Sequence, residues 1–188
     1  MNNTLKIVFW SILTLLVSAI IIYLLLSFEK YFPVEGFLFA FELHFLLMAW
    51  YAFSLSNLKL SYGSNYYHAK PIEENGKVYI YLGVNAFRWF LKKISWNSIS
   101  DKSNGSIIKD LDRLKKREKH TREAEFAHLI LFIHFVLIAF YFLPNSNVFW
   151  LLTLNVVLHA YPVFIQRYNR PRYLKLISIL EKRTNLEE

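Results

Sequence analysis

Between Ile7 and Leu26 the chain runs for twenty residues, IVFWSILTLLVSAIIIYLLL, without a charge. A helix rises 1.5 Å per residue, so this stretch covers roughly 30 Å, the thickness of a bilayer's hydrocarbon core. Three further stretches are nearly as apolar: Phe37–Leu55, which carries Glu42 and His44; Glu125–Leu143, with His128 and His134; and Asn147–Ile165, with Asn155, His159 and Pro162. Composition agrees, since 55% of the 188 residues are hydrophobic and 18% aromatic, more than a water-soluble domain of this length carries. The expected fold is an all-α integral membrane protein, one membrane domain over 1–188, with spans at about 7–26, 37–55, 125–143 and 147–165. A cytoplasmic or interfacial segment, 56–124, separates the second span from the third, and a tail follows from residue 166. The first span stands where a signal peptide would, but it lacks a small-x-small cleavage site and is read as retained.

Lysine and arginine collect on the cytoplasmic side of spans. Residues 56–123 hold fourteen of the twenty-two and the stretch from Gln166 onward holds six; Ser27–Gly36 has only Lys30, and Pro144–Ser146 has none. This predicts a multi-pass membrane protein with both termini and the long middle segment cytoplasmic. The formal charge of +8 falls between the spans, which favours an anionic membrane face over nucleic acid as its partner. Cysteine is absent, so disulfides, thiolate metal sites and cysteine nucleophiles are excluded.

Within the middle segment, Glu73–Lys77 reads as a turn, and Val78, Ile80 and Leu82 alternating with tyrosines read as a short strand-like run. Ala86–Ile94, AFRWFLKKI, has the aromatic and basic content of a helix lying in the membrane interface, the alternative being a soluble element whose aromatics pack on neighbours. Ser95–Ser106 is polar and turn-rich. From Ile107 the spacing of Ile107, Leu111 and Leu114 turns helical, and no proline or glycine interrupts the chain before Pro144. One helix of about 55 Å is therefore expected to run into the third span.

Ionisable residues inside spans face the bundle or a wet cavity. By depth they form two layers. A boundary layer holds Arg122, Glu125, His128, Gln166, Arg167, Asn169 and Arg170; a middle layer holds Glu42, His44, His134, Asn155 and His159. Glu125 and His128 are three apart and share a helical face, so the carboxylate can orient the imidazole as a general base. Arg167 and Arg170 are also three apart and suit a phosphate or carboxylate. A base and an anion clamp are what acyl transfer from a phosphate-bearing thioester to a hydroxyl needs. The plainer alternatives are arginine anchors closing a span, a Glu125 pair with Arg122 or Arg167, and interhelical hydrogen bonds in the middle layer. A haem on His44, His134 or His159 is a further reading without a ligand-spacing motif behind it, and no metal ligands are assigned.

The strings TREAEFAH (Thr121–His128) and YPVFIQRYNRPR (Tyr161–Arg172), with the looser AFRWFLKKISW, resemble the glycosyl-4,4'-diaponeurosporenoate acyltransferase family of staphyloxanthin-type carotenoid synthesis. The family pattern has Glu-x-x-His entering one span and Gln-Arg-Tyr-Asn-Arg-x-Arg leaving the next. The chain departs from it in having His159 where an asparagine is usual and Glu123 where a basic residue is, and the first two spans match nothing in the pattern. The resemblance implies transfer of a fatty acyl group, from acyl-CoA as co-substrate, to a sugar hydroxyl of a glycosylated carotenoid or related glycolipid. On that reading His128 is the base, oriented by Glu125; Arg167, Arg170 and Arg172 hold the donor; and Gln166, Asn169, Asn155 and His159 meet the hydrophobic acceptor. A reading from another class is a non-catalytic membrane subunit or anionic-lipid-binding module.

Overall fold

The computed structural model describes residues 3–28, 31, 33–58, 60, 62–68, 70–74, 76–93, 110–144 and 146–187. In chain order the elements are α1 (Asn3–Ser27), α2 (Phe37–Ser56), a 3-10 turn (Asn65–Tyr67), α3 (Pro71–Glu74), α4 (Lys77–Tyr81), α5 (Val84–Lys93), α6 (Leu111–Phe142), α7 (Phe149–Asn155), a π-helical turn (Val156–Ala160) and α8 (Tyr161–Glu187). The described residues contain helix and no strand. Four helical stretches are long and apolar enough to cross a membrane: Thr4–Ser27, Phe37–Ser56, Leu111–Phe142 and Phe149–Thr184. The protein is an all-α membrane protein, as its hydropathy requires. The polar segment 95–106 and the start of the helical pattern at Ile107 lie outside the described residues.

Helix α6 is one element of 32 residues, about 48 Å long at 1.5 Å per residue. Asp110 caps it: its carbonyl accepts from Leu114 N–H and its carboxylate from Arg113 N–H, which satisfies an amide that the first turn would leave orphaned. The fourth span likewise continues past Ile165 into α8, with Pro171 inside the helix.

The chain sorts into two compact units, Met1–Ser61 with Ala127–Ala160, and Tyr62–Phe126 with Tyr161–Glu188. The first is a helical bundle with its core on one side of each helix. Phe39, Leu43, Leu47, Phe135 and Leu151 are fully buried there. The opposite faces carry bare apolar side chains such as Leu15, Leu137 and Phe140, a surface suited to hydrocarbon and costly in water. Helix α1 packs on α2 through Trp10 against Trp50 and Phe53, with Trp50 Nε1 donating to Thr14 Oγ1 at 3.2 Å.

In the second unit, Tyr79, Val84 and Tyr168 form a small core with Phe164 and Ile165. Phe87 of α5 stacks on Tyr161 of α8, ring centres 4.7 Å apart, while Trp89 and Phe90 stay exposed. Residues 78–82 are not the strand expected from their alternation. They form α4 and its cap, with Ile80 N–H bonded to the Gly76 carbonyl and Leu82 N–H to that of Val78. A strand would put Tyr79 and Tyr81 on one face. Instead Tyr79 is 4% exposed and Tyr81 89% exposed, because a helical turn sends one into the core and the other out. Two glycines bracket this turn, Gly76 at φ 66° and Gly83 at φ 80°.

A Cβ at Gly76 would sit 3.0 Å from the Arg172 guanidinium and 3.2 Å from the Tyr168 ring, on a backbone that L-residues adopt at a cost of about 1–2 kcal/mol. Gly76→Ala is expected to destabilise the second unit by at least that much, read as a lower unfolding midpoint in detergent with earlier proteolysis in 71–93. An unchanged midpoint would mean that the left-handed turn does not hold α4 in place.

Candidate functional site

Helix α6 bears a polar stripe, Glu118, Thr121, Arg122 and Glu125, at helical spacings of three and four. Glu125 at its end is fully buried. Two arginines of α8 satisfy its oxygens: Arg167 Nε donates to Oε1 at 2.7 Å, and Arg170 Nη2 donates to Oε2. A carboxylate out of water is tolerated only when paired and hydrogen-bonded in this manner. Arg170, 2% exposed, also donates to Thr121 Oγ1 (3.0 Å) and to the Tyr67 carbonyl (3.1 Å). Arg122 pairs with Glu118 at 2.6 Å and reaches the Tyr62 carbonyl.

Arg167 ties the stripe to the segment before α4. Its Nη1 donates to Glu73 Oε1 (2.8 Å) and its Nη2 to the Tyr66 carbonyl (3.3 Å), with the guanidinium over the Tyr66 ring at 4.6 Å. Glu73 also accepts from the Tyr79 hydroxyl and from Lys70 N–H. Burial pushes the Glu73 carboxyl up, but these donors outweigh it and hold the group below the ordinary glutamate range. Burial and the neighbouring Glu73 raise the Tyr79 hydroxyl. Burial, followed by the Glu125 charge, raises Tyr66 and Tyr67. Arg122, Arg167 and Arg170 thus meet Glu73, Glu118 and Glu125, a charge-balanced cluster. An open depression beside it is lined by Tyr67, His68, Glu73, Arg167, Arg170 and Pro171.

The first unit contains a different polar group. His44 Nε2 lies 3.2 Å from the Leu151 carbonyl, its Nδ1 lies 3.1 Å from His159 Nε2, and His159 Nδ1 lies 3.3 Å from His128 Nδ1. His44 and His159 are fully buried and His128 is half-buried. Phe135 stacks on His44 with ring centres 3.6 Å apart and lies nearly parallel to His159. His134 is elsewhere, bonded to the Tyr51 hydroxyl at 2.8 Å. Asn155 donates to the Phe132 carbonyl at 3.1 Å, while its buried Oδ1 has no partner among the described residues.

The residues picked out in the sequence therefore regroup. Glu125 gives both oxygens to arginines, and the ring nitrogen of His128 that makes a described bond meets His159. His128, placed by depth with the boundary layer, joins two histidines of the middle layer. Arg172 is exposed, folded over the Tyr168 ring and bonded to that residue's carbonyl. Gln166 and Asn169 are half-buried on α8. Sequence reasoning passed over Glu73, Tyr66, Tyr67, Thr121 and Glu118. The stripe on α6 was legible as polar residues at helical spacing; Glu73 and the tyrosine carbonyls come from a loop whose position no periodicity reports.

The family profile described as glycosyl-4,4'-diaponeurosporenoate acyltransferase matches residues 63–179, well over half of the chain. The chain belongs to the glycosyl-4,4'-diaponeurosporenoate acyltransferase family. That places it among acyltransferases of carotenoid biosynthesis. The match takes in the arginine–carboxylate cluster, His128, His134, Asn155 and His159, and leaves out α1, α2 and His44. No curated protein and no solved structure gave a significant match.

Glu125→Ala would leave the buried Arg170 and the half-buried Arg167 without their shared carboxylate, a loss of about 3–5 kcal/mol by the usual cost of breaking a buried pair. Because the same arginines hold the Tyr66 and Tyr67 carbonyls and Glu73, amide hydrogen exchange over 64–74 should accelerate along with global destabilisation. Unaltered exchange there would separate the loop from the Glu125 centre.

Proposed function

We propose that the protein moves a fatty acyl group from acyl-CoA, or a donor of that kind, onto a sugar hydroxyl of a glycosylated carotenoid or related glycolipid at the cytoplasmic leaflet. The observation that carries this reading is the family match over 63–179. Supporting it are four membrane-crossing helices for a lipid-borne acceptor and the basic segments that flank them.

His128 is the general base, removing the proton of the acceptor hydroxyl as its oxygen attacks the acyl carbonyl. Glu125 acts through the arginines, fixing two guanidinium planes. Arg167 faces the depression lined by Glu73, and a donor phosphate would exchange with Glu73 there while Glu125 keeps its grip. Arg170 holds the frame, and Arg172 adds exposed positive charge nearby on α8. A thioester donor carries its phosphates and its acyl group at opposite ends of a long flexible arm, so base and phosphate anchor need not adjoin. Gln166 and Asn169 supply amides to the sugar or the developing oxyanion. Asn155, whose buried Oδ1 has no partner among the described residues, and His159 border the path of the acyl or polyene chain.

The deciding assay supplies labelled acyl-CoA and a glycosylated carotenoid or glycolipid extract to purified protein in lipid. Wild type should transfer label, and His128→Ala should lose about 10²–10⁴-fold in rate, the usual contribution of a positioned base. Full turnover in the mutant would remove His128 from the reaction. Absence of transfer by folded wild type across several donors would favour a non-catalytic lipid-binding subunit.

The proposed orientation can be tested independently because the chain has no cysteine. In intact cells a membrane-impermeant maleimide should label Ser146→Cys and spare Lys182→Cys. Labelling of both, or of Lys182→Cys alone, would overturn the cytoplasmic placement of the C-terminus.

A further inference from the structure

The three histidines of the first unit form a line. His159 presents a different nitrogen to each neighbour, Nε2 to His44 and Nδ1 to His128, so the rings do not surround one point as ligands of a single ion would. The line has a polarity that proton counting fixes. A neutral imidazole carries one N–H, and a carbonyl oxygen only accepts. At the Leu151 carbonyl, His44 must therefore donate from Nε2, which leaves its Nδ1 as an acceptor. His159 must then donate from Nε2, which leaves its own Nδ1 bare. His128 must in turn donate from Nδ1. Three N–H groups are used on one carbonyl and two ring-to-ring links, and the fourth position, His128 Nε2, keeps its lone pair.

We propose that His44 and His159 are positioning residues that lock His128 in the Nδ1–H tautomer and so present Nε2 as the base that takes the acceptor's proton. Two observations converge on this. The line starts at a fully buried carbonyl and two fully buried rings and ends on His128, the one residue of the three that keeps some exposure. Phe135 stacks on the inner rings and fixes their planes. His44 lies outside the matched 63–179, so the family assignment says nothing of its role.

The proposal rests on the acyl-transfer reading for the use of the base, and its step balances. The hydroxyl proton moves to His128 Nε2 as the oxygen–carbonyl carbon bond forms. The carbon–sulfur bond of the thioester then breaks, and the proton passes from Nε2 to the departing thiolate. Nothing is oxidised or reduced.

The test is nitrogen-15 NMR of histidine-labelled protein in lipid nanodiscs, with the His128 signals assigned by their loss in His128→Gln, run beside the transfer assay. Wild type should show His128 as the Nδ1–H tautomer. His44→Phe and His159→Phe should abolish that preference and lower kcat about tenfold or more, within the range a positioned base contributes, with KM for the acyl donor little changed. His44→Asn, whose amide oxygen can still accept from His159, should restore much of both; it also guards against mere misfolding. A wild-type His128 found as the Nε2–H tautomer would overturn the proposal whatever the activity. So would full kcat in both phenylalanine variants alongside a dead His128→Ala, while leaving the acyltransferase reading intact. If wild type transfers nothing but shows the Nδ1–H tautomer that His44→Phe abolishes, the acyl-transfer reading fails and the locking of His128 stands.

Discussion

A single buried carboxylate organises the second unit. Glu125 has no exposure to solvent, and two guanidinium groups from α8 close on it. Each of those arginines has donors to spare, and each spends them on the chain between α2 and α4: Arg170 on the Tyr67 carbonyl, Arg167 on the Tyr66 carbonyl and on Glu73. That segment is thus held by charge as well as by its tyrosines, Tyr62 standing edge-on to Phe126 and to Tyr67. Lysine could not do the same work, because a single ammonium cannot span three acceptors in one plane. The cost of desolvating Glu125 is offset only by the full set of partners, which makes the centre all-or-none.

Charge balance in this cluster changes what its arginines can do. An arginine-rich string at the end of a span suggests an open clamp. In the folded chain Arg122, Arg167 and Arg170 are matched by three carboxylates. Of these carboxylates Glu125 is enclosed, whereas Glu73 stands on a short helix and lines the open depression. The histidines of the first unit obey a different rule. Among the described residues they meet no carboxylate, and they are linked ring to ring and to the Leu151 carbonyl.

Much of the fold was legible. Long uncharged runs have one stable form in hydrocarbon, so the four spans could be placed from hydropathy, and the absence of proline or glycine before Pro144 announced the long helix α6. Helical spacing also put Glu125 and His128 on one face of their helix, and Arg167 beside Arg170. Alternation in 78–82 misled, because in a five-residue element a period of two and a turn of helix look alike; the glycines at 76 and 83, with their positive φ, decided for the helix.

The sequence by itself determined the solvent of this protein, its helical class and, through TREAEFAH and QRYNRPR, its family. These follow from local properties: hydrophobic length, periodicity and a string of residue types. Only the tertiary structure decided which polar groups are partners. Glu125 is three residues from His128 along α6, yet its oxygens go to arginines more than forty residues away, and His128 meets His159, itself bonded to His44, 115 residues distant in sequence. Spacing along a helix says which face a side chain is on. It does not say which other helix supplies the donor, because burial penalises any unmatched polar group and the chain meets that penalty with whatever partner packing brings within reach.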